Sequence, residues 1–103
     1  MKVRFKSFID FYPYYLSEHS KPGTKIFHFI GTFLFIFSFL GFIITAEIIY
    51  LILSPVFGYG FAWISHYFIE KNKPATFDYP LYSLIGDFLM FWQILIGKIK
   101  VLY

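Results

Sequence analysis

Residues 26–46 read IFHFIGTFLFIFSFLGFIITA. From Ile26 to Ala46 there is no formal charge when His28 is neutral. Roughly 20 residues at about 1.5 Å each cross a hydrocarbon core of about 30 Å, so the stretch predicts a membrane-spanning helix. Working outward, a second apolar run extends from Ile48 to Tyr67. Ser54-Pro55 inside it predicts a kink, and Gly58 and Gly60 permit close helix contact. Glu70-Lys71-Asn72-Lys73-Pro74 ends that run. Asp78-Tyr79-Pro80 opens a third, from Leu81 to Gly97, interrupted by Asp87 and followed by Lys98 and Lys100. A break near Pro55 would add a partial span. The expected fold is all-α: a polytopic helical membrane protein with about three to four membrane helices, forming one domain over residues 1–103.

Before the first span, Phe5, Phe8, Ile9, Tyr12 and Leu16 recur at helical spacing among charged residues. They predict an N-terminal amphipathic helix on the membrane surface, with Pro13 at its start or at a kink. Ser20-Lys21-Pro22-Gly23 reads as a turn, after which Thr24 is the expected N-cap of the first span.

Composition supports lipid as the solvent. Of 103 residues, 58% are hydrophobic and 15% charged, against roughly 45–50% and 25% in soluble domains. A chain this short has too little interior to bury that much apolar surface. The formal charge of +3 is modest and forms no basic stripe, which excludes a nucleic-acid partner. With no cysteine, thiolate catalysis and thiolate-ligated metals are excluded. No secretory signal pattern follows the basic residues 2–6. Lys2, Arg4, Lys6, Lys21 and Lys25 precede the first span, and Lys71 and Lys73 follow the second. That bias places the N-terminus and the Lys71 loop in the cytoplasm and the Glu47 turn outside. Three spans would put the C-terminus outside, a placement that Lys98 and Lys100 oppose.

The polar residues converge. His19 precedes the first span, His28 lies in its first turn, and His66 lies in the last turn of the second. An up-down hairpin brings all three to one membrane face. Glu70 follows His66 by one helical turn. Asp87 enters the third run from the same face, about 9 Å deep, with Ser83 one turn before it. Three imidazoles with one or two carboxylates can ligate a divalent metal, and nitrogen and oxygen donors suit iron, zinc or manganese. Each residue also has a plainer role: a histidine as an interfacial polar group, Glu70 as a solvated helix end, Asp87 as a partner of Ser83, His28 or the backbone. Tyr12, Tyr14 and Tyr15 read as packing and interfacial anchors without a catalytic role.

Three blocks, Tyr15-Leu-Ser-Glu-His19, Ile26-Phe-His28-Phe-Ile-Gly31-Thr32 and His66-Tyr-Phe-Ile-Glu70-Lys71-Asn-Lys73-Pro74-Ala75, resemble the family of the fungal endoplasmic-reticulum 2-hydroxy fatty acid dioxygenase. The resemblance runs from about Phe11 to Phe91, and the chain looks like a short bacterial branch. It departs at Ser65, where a Gly commonly precedes the third histidine. It also lacks the Asn often found between the first two, with Gly23-Thr24 in that region.

The resemblance implies an iron(II)-dependent α-oxidation, in which a 2-hydroxy fatty acid and dioxygen give an acid one carbon shorter. It implies that His19, His28 and His66 serve Fe(2+), with Glu70 as fourth ligand or orienter of His66 and Asp87 as the next candidate. The partner is then a lipid or fatty acid substrate within the membrane. Two other classes fit the residues alone. One is a non-catalytic membrane protein packing on a partner through Gly58 and Gly60, and the other is a zinc-dependent lipid hydrolase.

Overall fold

A computed structural model describes residues 5–100, and those residues contain helices and turns only. The order is α1 (Phe8–Ser17), α2 (Pro22–Thr45), α3 (Ile48–Ile64), a π-helical turn (Ser65–Glu70), a 3-10 turn (Ala75–Phe77) and α4 (Pro80–Leu95). Ser7 caps α1, its hydroxyl accepting from the Asp10 amide at 3.2 Å. Pro13 lies inside α1.

The start of α2 differs from the expectation. The helix begins at Pro22, with Lys21 rather than Thr24 in the N-cap position. Proline is tolerated in the first turn because its missing N–H has no intrahelical partner there. Thr24 thus lies inside the helix, buried.

Two residues, Ala46 and Glu47, join α2 to α3. Ala46 takes the left-handed conformation (φ 60°) and donates its amide to the Phe42 carbonyl at 2.7 Å, reversing the chain. So short a link forces an antiparallel hairpin. The hairpin closes on Gly31, where a Cβ would lie 2.8 Å from Phe61 Cβ and 3.1 Å from the Phe57 carbonyl oxygen. Gly58 also faces the chain's own α2, against the Phe35 ring, whereas Gly60 has open space beside it. Helix α3 runs through Pro55 without a break, so no partial span is added. The Ser54 hydroxyl bonds the Tyr50 carbonyl at 2.9 Å, one turn back.

Among the described residues, two helices have the length and apolarity to cross a membrane: Pro22–Thr45, and Ile48–Glu70 with the π turn included. Helix α4 has 16 residues, or about 24 Å, short of a hydrocarbon core of about 30 Å. Of the three to four spans expected, two have helices of spanning length among the described residues. Helix α4 packs instead against α1, α2 and the 75–77 turn, with Tyr82 against Phe8 and Phe11.

The distribution of side chains is inverted relative to a soluble domain. Large apolar residues such as Phe37, Ile43, Ile44, Ile48 and Phe68 face outward. Thr24, Thr32, Ser38, Ser54, Ser65 and Ser83 are buried with the three histidines. Exposed apolar surface on this scale needs an apolar surrounding, and small polar residues are what lipid-embedded helices place at their contacts. A separate core of Phe11, Tyr15, Ala75 and Met90 ties α1 to α4 at the histidine end.

Candidate metal centre

His19, His28 and His66 meet. Their Nε2 atoms form a triangle with edges of 3.1 Å (His19–His28), 3.2 Å (His28–His66) and 3.0 Å (His66–His19). All three side chains are buried, at 1%, 4% and 2% exposure respectively.

Each histidine comes from a different local device. His19 follows the end of α1, with its amide on the Leu16 carbonyl. His28 stands in the second turn of α2. His66 rides on the π turn, whose wider winding shifts a side chain from its α-helical position and is frequent at functional sites. Lys71, left-handed at φ 66°, ends that turn, and the Lys71 and Asn72 amides both donate to the His66 carbonyl.

The second ring nitrogen of each histidine decides the chemistry. His19 Nδ1 lies 2.6 Å from the Tyr15 carbonyl oxygen, which only accepts, so Nδ1 carries the proton. His66 Nδ1 lies 2.6 Å from Asn72 Oδ1. The Asn72 amide nitrogen donates to the Glu18 carbonyl at 3.1 Å and to its carboxylate at 3.3 Å. Those two acceptors fix the orientation of Asn72, so His66 Nδ1 is also protonated. His28 Nδ1 lies at ion-pair distance, 3.4 Å, from Asp87 Oδ1, a carboxylate oxygen that accepts from the Tyr15 hydroxyl. With Nδ1 of His19 and of His66 donating, the Nε2 atoms of these two residues present lone pairs to each other and to His28 Nε2.

Buried imidazole nitrogens about 3 Å apart repel where lone pairs face each other, and a cation among them relieves that repulsion. The donor set fits a divalent metal: three nitrogens at about 2.1 Å and right angles around one ion stand roughly 3.0 Å apart. Oxygen acceptors on the far ring nitrogens are the usual companions of metal-bound histidines. Burial holds the His19 pKa well below its ordinary 6.5, with His28 and His66 adding to the effect, and a neutral imidazole is the ligating form.

The carboxylates are placed differently from one another. Asp87 sits beside His28. Glu70 turns to the start of α2, accepting from the Lys21 amide at 3.1 Å and the Thr24 hydroxyl at 2.6 Å, and from both the amide and the hydroxyl of Ser20. Among the described residues the metal-competent cluster comprises the three histidines, and the acceptor facing His66 Nδ1 is Asn72. Tyr15, expected only to pack, is fully buried, stacks on His19 with ring centroids 4.2 Å apart and bonds Asp87. Burial and the Asp87 charge raise its pKa well above the ordinary value, so it remains a donor. Gly86 makes room for that ring, since a Cβ there would come within 3.1 Å of it. Ser83 Oγ is buried with no hydrogen-bond partner among the described residues.

No curated protein and no solved structure matches the chain. A family match covers residues 5–99, which include all three histidines, Asn72 and Asp87. The chain belongs to the 2-hydroxy-palmitic acid dioxygenase Mpo1-like family.

Proposed function

We propose that the protein is a membrane-embedded, iron(II)-dependent dioxygenase that shortens a 2-hydroxy fatty acid by one carbon, with His19, His28 and His66 holding the metal. The family supports a 2-hydroxy fatty acid dioxygenase type of activity. The observation that carries the metal assignment is the triangle of buried Nε2 atoms, with oxygen acceptors behind His19 and His66 and the Asp87 carboxylate beside His28. Iron in a nitrogen and oxygen site with open positions supplies dioxygen activation. A 2-hydroxy acid plus dioxygen contains the atoms of the shortened acid, carbon dioxide and water, so no further reductant is needed.

The protein's own groups orient and exclude. The Tyr15 carbonyl, Asp87 and Asn72 set the three ring planes. Tyr15 holds Asp87 and covers one face of His19, keeping water from it. Two crossings, α2 and the α3–π helix, anchor the chain, and α4 lies against α1 without crossing. Lys25 Nζ donates to the Lys100 carbonyl at 3.4 Å. That contact brings Lys100 to the start of α2, which supports a C-terminal segment on the same, cytoplasmic side as Lys25. Lys98 and Lys100 then join the other basic residues on that side.

The test is turnover. Protein purified in mild detergent and loaded anaerobically with iron(II) should consume oxygen on 2-hydroxypalmitic acid and release the acid one carbon shorter, labelled from isotopic dioxygen. Zinc-loaded protein should be inert. Oxygen-independent ester hydrolysis, or no shortened acid from the iron form, would overturn the reading.

A further inference from the structure

Resting on that reading, we propose that the substrate's acyl tail leaves the histidine site between Phe35 and Phe88 and lies along α2 on Ile36, Phe39 and Leu40. A chamber of about 20 Å³ lies beside His28 and Asp87, bounded by Thr32, Phe35, Gly58 and Phe88 among others. It has room for one water-sized group and none for a chain. Beyond it, a groove of about 320 Å³ is lined by Phe35, Ile36, Phe39, Leu40 and Phe88. Phe35 and Phe88 line both spaces, and their rings meet edge to face with centroids 5.5 Å apart. They form the partition between the polar chamber and the apolar groove.

Helix geometry aligns the chamber and the groove along one side of α2. His28, Thr32, Phe35 and Phe39 recur at intervals of four, three and four residues, so they share one face of α2. From His28 to Leu40 is about 18 Å along the helix, slightly more than one leaflet of a core about 30 Å thick. A fatty acid in that leaflet can therefore keep its tail at its own depth while its 2-hydroxy carboxyl end reaches the histidines. Gly58 seats the partition, since a Cβ there would stand 3.1 Å from the Phe35 ring. The larger groove between α2 and α3, about 610 Å³ from Leu34 to Phe57, shares no lining residue with the chamber and meets this path at Leu40.

The experiment uses 2-hydroxypalmitic acid carrying a photoreactive diazirine at its tail end, with the iron-loaded protein in lipid nanodiscs. Labelling should fall on Ile36 and Phe39 and be competed by plain 2-hydroxypalmitic acid. Labelling on Tyr50, Leu53 or Phe57, or labelling that does not saturate, overturns the proposal. A second arm uses Ile36→Trp, a change on the rim of the groove that should leave iron content intact. It should lower kcat/KM for 2-hydroxypalmitic acid at least about tenfold relative to a 2-hydroxy acid half as long. Equal effects on the two lengths overturn it. Competed labelling without oxygen consumption supports the groove and removes the reaction. Oxygen consumption with labelling elsewhere keeps the reaction and removes the groove.

Discussion

Asn72 Oδ1 lies 2.6 Å from His66 Nδ1, while the amide end of Asn72 is held by Glu18. Asn72 thereby fixes both the tautomer and the plane of His66. Asn72→Ala is expected to lower metal affinity about 10–100-fold, the usual range for a group behind a ligating histidine. Asn72→Asp, which keeps an acceptor, should lose less. Metal titration of the purified variants checks this, and unchanged affinity in Asn72→Ala would count against the geometry.

Glu70 joins the end of the π turn to the start of α2 through Ser20, Lys21 and Thr24. It serves these donors much as a cap does, so Glu70→Ala should destabilise the fold by about 1–2 kcal/mol. Iron content in that variant should stay near that of the wild type. Thermal melts and metal analysis on the same sample separate the two effects. A loss of iron as complete as that in His19→Ala would instead make Glu70 a ligand.

Acid should weaken the metal-free protein. His19 is buried beside His28 and His66, and its pKa lies well below the 6.5 of a free imidazole. Below about pH 6.5 the unfolded chain binds a proton at this residue that the folded chain does not. Unfolding is then favoured, and stability falls progressively as pH drops from about 6.5 towards the folded-state pKa, with a plateau above. Melting temperatures of metal-stripped protein between pH 8 and 5 should show this decline. A melting temperature that rises on acidification contradicts it.

The contact between Lys25 and Lys100 gives a topological prediction. Reporters fused to the N-terminus, inserted between Lys71 and Lys73, and fused to the C-terminus should all read cytoplasm. An external C-terminal reporter would require α4 to cross the membrane.

The hairpin of α2 and α3 was legible because charge-free length and the Ala46-Glu47 break are local properties of the chain. The meeting of the three histidines followed from that hairpin alone. Other features depend on tertiary contacts that leave little local trace. Asn72 sits between two lysines, a pattern typical of a solvated helix end, yet the left-handed Lys71 turns it back onto His66. Tyr15 looks like one interfacial aromatic among several until Gly86 opens space for it beside Asp87. Thr24 has the chemistry of an N-cap, but Pro22 already suits the first turn, which leaves the Thr24 hydroxyl for Glu70. The run from Leu81 to Gly97 is apolar enough to suggest a span, and its shortfall emerged only where α4 ends at Leu95 and lies against α1.

Metal content tests the central claim most directly. Wild-type protein, loaded anaerobically with iron(II) and freed of excess, should hold close to one iron per chain. His19→Ala, His28→Ala and His66→Ala should each lose most of it, because three nitrogens without thiolates leave no ligand to spare. Wild-type protein that stays iron-free after loading, or iron retained in all three variants, would contradict the account.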